Sequence, residues 1–440
     1  MKRAERWHHA RKVVVVDGVR TPFAKVETAL SGVPAVELAR VAIRELLERT
    51  EIDPASIDEV IVGNAAPPSD APNIARVAAL EAGIPAEVPA FSVQRNCASG
   101  FQSITDGYNQ IVTGQADVVV AGGVESMSNV PLQFPDEFAD VMSDMTRARS
   151  TTGKAAAAAQ LRPAHFKPVV ALLEGLTDPV CGLNMGETAE VLAREFRLSR
   201  RAQDEYALRS HQRAAAAWAE GGFAEEVTPV FVPPDYDDVV AEDVGYRPQQ
   251  TLEALAKLKP VFEREGTVTA GNASMVTDGA GALLLMDEAR ARAEGFRPLG
   301  RIVSFAYAGL EPSRMGLGPA LATPLALARA GATLADMGLV ELNEAFAAVV
   351  LANMEVFPSR KWAEERLGRT LPIGALREEI LNVNGGAIAL GHPIAATGSR
   401  LALTLLLEMR RRDVEHGLAT LCVGGGLGGA IVFQRVAASE

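Results

Sequence analysis

The chain contains few cysteines and few aromatic residues. Three of its 440 residues are cysteine, and Phe, Trp and Tyr together make up 5%. Cys97, Cys181 and Cys422 are too few, and odd in number, for a disulfide framework. The opening stretch MKRAERWHHARK is polar and contains no apolar secretory signal, so we expect a reducing, cytoplasmic compartment.

Long apolar runs and an excess of basic residues are also missing. No run approaches the roughly 20 apolar residues that span a bilayer, so we expect no transmembrane segment. Lys and Arg number 43 against 55 Asp and Glu, which gives a net charge of −12. Nucleic-acid-binding surfaces are basic, and we therefore expect no nucleic-acid partner. The pair His8 and His9 is interpreted as part of a structureless start rather than as a metal site.

The sequence does contain a regular alternation of apolar strands and amphipathic helices. With 48% hydrophobic residues in 440, the chain is long enough for two or three domains. The first predicted elements are, in order, strand KVVVVDG, helix PAVELARVAIRELLERT, strand EVIVGN, helix NIARVAALEAG and strand FSV. This alternation is typical of α/β proteins.

Cys97 follows the last of these strands directly. Apolar residues then recur at helical spacing, at Phe101, Ile104, Tyr108 and Ile111. Cys97 is therefore predicted near the N-terminus of a helix, where the helix dipole and free N–H groups lower a thiol pKa. A lone cysteine is also commonly a small buried hydrophobe, and the sequence leaves that alternative open.

The alternation breaks down between residues 131 and 267 and then resumes. That region holds an alanine run, PVFVPPDYDD and one long helix, and we interpret it as an inserted subdomain. Beyond it, ILNVNGG, GHPIAATGSR and LATLCVGGG parallel the earlier FSVQRNCASGF and DVVVAGG, which indicates a duplicated βαβ-type unit whose equivalent loops face one another. The predicted division is an N-terminal half at 1–130, an insert at 131–267 and a C-terminal half at 268–440, of which 268–295 returns to complete the first half.

Two glycine-rich loops near the end of the chain carry a histidine and a cysteine. His392 lies in GHPIAATG and Cys422 in LCVGGG. Loops of this kind let the backbone approach a ligand closely and expose N–H groups. Together with Cys97, these residues indicate thiol chemistry on an acyl group. Taken singly, His392 is also explained as a histidine fixed by packing in a turn, and Cys422 as an inert residue within a strand.

Three further features have an ordinary explanation beside a functional one. Asn343 and Glu344, in ELNEAFAA, lie where a strand ends and a helix begins, which also suits an N-cap pair. The stretch VTAGNASMVTDGAG at 268–281 is polar and glycine-punctuated, and alone it indicates only a surface turn. Cys181 has no polar constellation near it in sequence and is interpreted as structural.

Six motifs together resemble the thiolases and occur in that family's order. They are NCASG, GGVESMS, TAGNAS, NEAFA, GHPIAATG and CVGGG, and VDGVRTPFAK near the start is also similar. The resemblance covers essentially the whole chain. Within the family, APNIAR, SHQRAAAAWAEG, LGPALATPLAL and Ala395 are most similar to the fatty-acid-oxidation 3-ketoacyl-CoA thiolases that serve as β-subunits of trifunctional complexes.

The resemblance implies an α/β, five-layered α-β-α-β-α fold, built from two similar βαβαβαββ halves plus an inserted loop domain. It implies an acetyl-CoA acyltransferase that cleaves 3-ketoacyl-CoA in fatty acid β-oxidation. Coenzyme A is then expected as a substrate and acyl-CoA as the other ligand. No tightly bound cofactor and no metal are expected. The family also implies a homodimer or tetramer, and the trifunctional type implies a hydratase/dehydrogenase α-subunit as partner.

The resemblance also assigns roles to individual residues. Cys97 is the expected nucleophile, His392 its base, and Cys422 the thiol that exchanges a proton with the α-carbon of acetyl-CoA. Asn343 is expected to hold a water that completes one oxyanion hole with His392. The backbone N–H groups of Gly424 and Cys97 are expected to form the other.

Ser274 and Met185 match positions that line the family's pantetheine pocket. Two residues depart from family patterns: Asn184 stands where many biosynthetic thiolases have histidine, and Asn343 where the trifunctional type usually has histidine. The alternatives are a biosynthetic acetoacetyl-CoA thiolase, which has the same catalytic residues, and a non-catalytic acyl-CoA-binding subunit. Ketoacyl synthases share the fold but use a second histidine where NEAFA stands.

Overall fold

The computed structural model describes residues 10–436, so the pair His8 and His9 lies outside the described residues. The strands are β1 (Val13–Arg20), β2 (Ala24–Lys25), β3 (Glu59–Gly63), β4 (Ala90–Val93), β5 (Val118–Glu125), β6 (Leu132–Gln133), β7 (Val169–Val170), β8 (Val230–Phe231), β9 (Val239–Val240), β10 (Thr277–Asp287), β11 (Gly300–Gly309), β12 (Leu339–Leu342), β13 (His416–Val423) and β14 (Leu427–Gln434). The helices are α1 (Ala35–Thr50), α2 (Ile74–Glu81), α3 (Ser99–Thr113), α4 (Asp136–Arg147), α5 (Thr151–Ala158), α6 (Ala171–Gly175), α7 (Met185–Glu195), α8 (Arg200–Ala219), α9 (Leu252–Ala256), α10 (Glu288–Ala293), α11 (Gly318–Ala330), α12 (Ala347–Val356), α13 (Arg360–Trp362), α14 (Ala387–Leu390) and α15 (Thr397–Arg411).

The large strands form two equivalent arrangements that meet edge to edge. Their order is β12-β13-β14-β11-β1-β10-β5-β3-β4. In the first half, β3 runs parallel to β4 and β5, while β10 is antiparallel to both β5 and β1. In the second half, β12 runs parallel to β13, and β14 is antiparallel to both β13 and β11. A short antiparallel contact between β1 and β11 joins the two halves, so the predicted duplication is visible in the strand order.

Side chains that point alternately to the two faces of each strand divide the core into layers. On β1, Val14 and Val16 face a cluster formed with α1 and α2, whereas Val13 and Val15 face a second cluster that contains residues of α3 and α15. Successive side chains of a strand point to opposite faces, which explains the division. A third cluster packs α11 and α12 against the second half of the sheet. Helices therefore lie outside each half and between them, and the predicted five-layered fold is confirmed.

The N-termini of α3 and α15 approach each other closely at two glycines. A Cβ atom built on Gly398 would lie 2.4 Å from the backbone nitrogen of Phe101, and one built on Gly100 would lie 2.6 Å from the carbonyl oxygen of Ala395. Neither position has room for a side chain. The loops that precede these two helices, which carry Cys97 and the histidine motif, are consequently brought together.

Residues 130–177 form a compact unit of their own, and the remaining described residues form a second unit. The smaller unit contains α4, α5, α6 and the antiparallel pair β6 and β7. Phe138 packs between two other rings, with its centroid 4.4 Å from that of Phe134 and 5.5 Å from that of Phe166. The division of the chain at residues 130 and 267 stays a prediction.

Two of the ordinary explanations considered for the motifs are wrong. Helix α12 takes Phe346 as its N-cap residue, so Asn343 and Glu344 do not form an N-cap pair. The stretch 268–281 is not a surface turn, because Thr277 begins β10, in which every residue is buried. Between residues 10 and 436, no helix combines the length and the apolar character that crossing a membrane requires.

Candidate active site

Cys97 lies between β4 and α3, immediately before Ala98, the N-cap residue of that helix. Hydrogen bonding by the backbone N–H groups of Gly424 and of Cys97 itself favours the thiolate form and lowers the pKa of its thiol. Withdrawal of the sulfur from water raises the pKa of the Cys97 thiol to about 11, and the charge of Glu125 adds to the rise. The expectation that the helix N-terminus lowers this pKa is wrong, because desolvation outweighs these hydrogen bonds.

Cys422 lies near the end of β13, is buried, and is a neighbour of Cys97. Burial raises the pKa of its thiol well above the ordinary value, and the charge of the neighbouring Cys97 thiolate raises it further. Both thiols are therefore protonated at neutral pH. Each needs a base before it can act as a nucleophile or accept a proton.

The turn that follows Cys422 is held by residues from distant parts of the chain. The side-chain amide of Asn96 donates to the carbonyl oxygen of Gly424 at 2.9 Å. Asn96 itself has a φ of 44°, in the left-handed region that asparagine tolerates better than most residues. The residue next to the nucleophile thus fixes the turn that presents the Gly424 N–H to Cys97.

His392 is fixed at its backbone and at one ring nitrogen. Its N–H is shared between the hydroxyl oxygen of Thr277 and the carbonyl oxygen of Met275, each at 3.1 Å. Its Nδ1 atom lies 2.6 Å from the hydroxyl oxygen of Thr397. Burial lowers the pKa of His392 to about 4, and the positive charge of Arg400 lowers it further. The imidazole is therefore neutral at physiological pH and can accept a proton.

Asn343 contacts the other ring nitrogen. Its Nδ2 atom is 3.4 Å from Nε2 of His392. A donor at Nε2 favours the tautomer in which Nδ1 carries the hydrogen and donates it to Thr397, which leaves Nε2 as the basic atom. The Oδ1 atom of Asn343 is buried and has no hydrogen-bond partner among the described residues. An unpaired buried acceptor is costly, so this atom fits a site that takes up a water or a ligand group.

The loop around Ser274 connects the asparagine and histidine motifs. The Ser274 N–H donates to the carbonyl oxygen of Ala345 at 2.9 Å. Two residues later, Val276 forms a parallel bridge with His392. The side chain of Ser274 is half-buried. The structure thus places Ser274 beside both motifs.

Met185 approaches the site from α7. Its Sδ atom lies 3.3 Å from the position that a Cβ atom on Gly424 would occupy. Asn184 is the N-cap residue of the same helix and forms a capping box with Glu187, in which the two hydrogen bonds measure 3.0 and 2.8 Å. The departure from histidine at residue 184 therefore has a local structural role.

The sequence reasoning missed two residues that contact this site, Thr397 and Glu125, and it named Glu344 without assigning it a role. Thr397, within GHPIAATG, positions the ring of His392. Glu125 ends the apolar strand β5 and is fully buried, and burial raises the pKa of its carboxyl group to about 7. Glu344 is 1% exposed and accepts hydrogen bonds from the hydroxyl groups of α8. The sequence did contain a signal for Glu125, because a glutamate at the end of an apolar strand indicates buried polar contacts. It contained none for Glu344, because the partners of that residue depend on the tertiary fold.

The arrangement combines two thiols, a neutral imidazole and backbone donors from both halves of the fold. Such a set can form and break a thioester, move protons at neutral pH and stabilise a negative oxygen. Across residues 10–436, no group of three or more His, Cys, Asp or Glu side chains is placed to hold a metal ion.

Comparison with known proteins agrees with this geometry. The chain matches the thiolase N-terminal domain over residues 13–289 and the thiolase C-terminal domain over residues 296–435. It is 44% identical to a 3-ketoacyl-CoA thiolase of Yersinia pestis over 425 residues, which cover 96% of this chain and 97% of that protein. The chain therefore belongs to the thiolase family.

Solved structures of the same family superpose over nearly the full length. The crystal structure of the Bacillus anthracis acetyl-CoA acetyltransferase gives a TM-score of 0.85 at 38% identity and covers 98% of this chain and 100% of that one. The human mitochondrial 3-ketoacyl-CoA thiolase in complex with CoA gives a TM-score of 0.83 at 39% identity, with coverage of 97% and 98%. The protein is thus an acyltransferase of the thiolase type.

Proposed function

We propose that this protein is an acetyl-CoA acyltransferase that cleaves 3-ketoacyl-CoA, with coenzyme A as the second substrate, in fatty acid β-oxidation. The observation that carries the proposal is the hydrogen bond of 2.9 Å from the Asn96 side-chain amide to the Gly424 carbonyl oxygen, which holds the Cys97 loop against the turn that follows Cys422. The backbone N–H groups of Cys97 and Gly424 come from opposite halves of the fold, and both are suited to stabilise the oxygen of a thioester intermediate. The similarity to proteins named 3-ketoacyl-CoA thiolase supports the choice of substrate.

The first half of the reaction uses both thiols and the imidazole. His392 takes the proton of Cys97, and the thiolate attacks the 3-keto carbon of the substrate. The C2–C3 bond breaks, which leaves an acyl group on Cys97 and the enolate of acetyl-CoA. Cys422 donates its proton to the α-carbon of that enolate. Its raised pKa keeps Cys422 protonated until this step.

The second half transfers the acyl group to a new coenzyme A. The Cys422 thiolate removes the proton of the incoming thiol, which attacks the thioester on Cys97. Collapse of the tetrahedral intermediate releases the shortened acyl-CoA and the Cys97 thiolate. His392 returns its proton to Cys97, so that every group regains its starting state.

Two negative oxygens form along this route, and each has donors in the site. The N–H groups of Cys97 and Gly424 stabilise the tetrahedral oxygen. The Nε2–H of protonated His392 and a water held by Asn343 stabilise the enolate oxygen. Removal of one such donor typically lowers kcat by about 10²- to 10³-fold.

A substrate series tests the proposal. We expect release of acetyl-CoA from 3-ketoacyl-CoA substrates longer than four carbons, only when coenzyme A is added. Activity confined to the four-carbon compound would favour the biosynthetic acetoacetyl-CoA thiolase instead, and binding without turnover would favour a non-catalytic acyl-CoA-binding subunit. Cys97→Ser should abolish turnover and labelling by a thiol-reactive acyl analogue, whereas the control Cys181→Ser should retain both.

Assembly and location follow from the same proposal. We expect a homodimer or tetramer, because β4 lies at the end of the sheet order and its residues are only partly buried. We also expect the protein to be cytoplasmic. Association with a hydratase/dehydrogenase subunit is expected if the chain belongs to the trifunctional type. Light scattering of the purified protein tests the first expectation, and copurification from native cells tests the second.

A further inference from the structure

Two buried glutamates lie on either side of the segment that carries His392. Glu125 is 0% exposed and Glu344 is 1% exposed. Burial of a carboxylate is unfavourable unless hydrogen bonds compensate for its lost hydration. Both residues have several donors, and those donors connect them to the histidine segment.

Glu344 holds the part of the segment before His392. One of its carboxylate oxygens, Oε2, accepts the backbone N–H of Ile388 at 3.2 Å and the hydroxyl of Ser210 at 2.6 Å. Ser210 in turn accepts the backbone N–H of Gly386 at 3.2 Å. The turn at Gly386 is so close that a Cβ atom there would lie 2.4 Å from the Glu344 carboxyl carbon.

The second oxygen of Glu344 connects the segment to its surroundings. It accepts the hydroxyl of Tyr206 at 2.9 Å and the side-chain amide of Asn382 at 3.1 Å. Glu344 also directly follows Asn343, which contacts the His392 ring. The same carboxylate therefore fixes the asparagine and the start of the histidine segment relative to each other.

Glu125 holds the part of the segment after His392. Its Oε2 atom accepts the backbone N–H of Ala395 at 3.1 Å, and also that of Ala65 at 3.1 Å. Its Oε1 atom accepts the side-chain amide of Asn64 and the backbone N–H of Ala66, each at 2.8 Å. All of these partners are neutral donors.

We propose that Glu125 and Glu344 are positioning residues of the acyl-transfer reaction, which together hold the His392 segment from both ends. The contacts at Ile388 and Ala395 lie on either side of His392, and the two carboxylates come from opposite halves of the fold. Displacement of a catalytic group by about 1 Å can lower a rate by about 100-fold, so this restraint has a direct effect on proton transfer. The role is stated for the thiolysis proposed above and rests on it.

Substitution by glutamine is the sharpest test, because the side chain keeps its shape but one oxygen becomes an amide nitrogen. In Glu125→Gln and Glu344→Gln, that nitrogen has to face N–H or O–H donors. We expect each variant to lower kcat by about 10- to 100-fold while KM stays within about 3-fold. Hydrogen exchange of peptides that span 386–396 should become faster.

Glu190→Gln is the matched control. Glu190 is also 1% exposed and accepts the backbone N–H groups of Thr267 and Val268, each at 2.7 Å, without contacting the histidine segment. The Glu190→Gln variant should have a lower melting temperature, like the other two variants, but unchanged kcat and unchanged hydrogen exchange in residues 386–396. If the glutamine variants fail to fold, Ser210→Ala provides a milder test, with a smaller loss of kcat and faster exchange expected.

The outcomes separate this role from the proposed function. If Glu125→Gln and Glu344→Gln lose no more kcat than Glu190→Gln and exchange in 386–396 is unchanged, the positioning role is overturned. If the wild-type protein cleaves no 3-ketoacyl-CoA but the two variants still show faster hydrogen exchange in residues 386–396, the proposed reaction is wrong. In that case the structural restraint on His392 remains established.

Discussion

The Nδ1 atom of His392 lies 2.6 Å from the hydroxyl oxygen of Thr397, the first residue of α15. This contact fixes the orientation of the ring and leaves Nε2 facing Asn343. A histidine acts as a base through one nitrogen, and the hydrogen bond at the other nitrogen decides which one is available. The first residue of α15 thus determines which ring nitrogen of His392 carries the hydrogen and which one is free to act as a base.

We expect Thr397→Val to lower kcat/KM by about 10-fold, which corresponds to the loss of one neutral hydrogen bond. Valine has the same shape as threonine, so packing at the start of α15 is preserved. Thr397→Ser keeps the hydroxyl group and should retain most of the activity. Steady-state kinetics of both variants check this, and equal losses in the two would contradict an orienting role for the hydroxyl.

The buried amide of Asn343 provides a second prediction. Asn343→Ala removes the group with an unpaired Oδ1 beside His392, and we expect kcat to fall by about 10²- to 10³-fold. Asn353 is a suitable control, since it is also fully buried but donates to the carbonyl oxygens of Gly316 and Val349 within the structural core. Asn353→Ala should lower the melting temperature and leave kcat nearly unchanged. A similar kcat for both variants would show that Asn343 is merely structural.

The glycines of the CVGGG turn should respond differently to alanine. Gly424→Ala keeps the backbone N–H, and the nearest atom to the new methyl group is the flexible Met185 sulfur at 3.3 Å. We therefore expect kcat within about 3-fold of the wild type and a higher KM for coenzyme A. Gly426 has a φ of 77°, and a Cβ there would lie 2.2 Å from the carbonyl oxygen of Leu310.

Gly426→Ala should accordingly destabilise the fold by about 2 kcal/mol or more, through backbone strain and steric overlap. Chemical denaturation of the two alanine variants measures the difference in the free energy of unfolding. A large loss of stability in Gly424→Ala, or none in Gly426→Ala, would show that the turn adopts another conformation.

Sequence reasoning predicted the order of strands and helices well because its signals are local, whereas the five-layered fold was expected from the resemblance to the thiolases. The strand before Cys97, the helix after it and the repeated glycine motifs each follow from residue spacing. The pKa of the Cys97 thiol was predicted in the wrong direction, since it depends on burial by parts of the chain far away in sequence. The roles of Glu125 and Glu344 were missed for the same reason, because their hydrogen-bond donors come from several separate segments.

Two buried neutral histidines should each lose a stabilising contribution in acid. Burial lowers the pKa of His211 and of His392 from 6.5 to about 4. Between these pH values these two histidines bind protons in the unfolded chain but not in the folded chain, so their contribution to the free energy of unfolding falls as pH falls. The stabilisation is complete above pH 6.5 and disappears toward pH 4, by up to about 3 kcal/mol for each histidine.

His211→Asn isolates one of these contributions. The Nδ1 atom of His211 accepts the backbone N–H of Arg247 at 3.2 Å, and an asparagine oxygen can replace that acceptor without titrating. Glu125, whose raised pKa of about 7 has the opposite effect on stability, is the same in both proteins and cancels from their difference. Denaturant titrations at pH 7 and pH 4 should therefore show that the wild type loses up to about 3 kcal/mol more than the variant. Parallel losses in the two proteins would mean that His211 is protonated in the folded state.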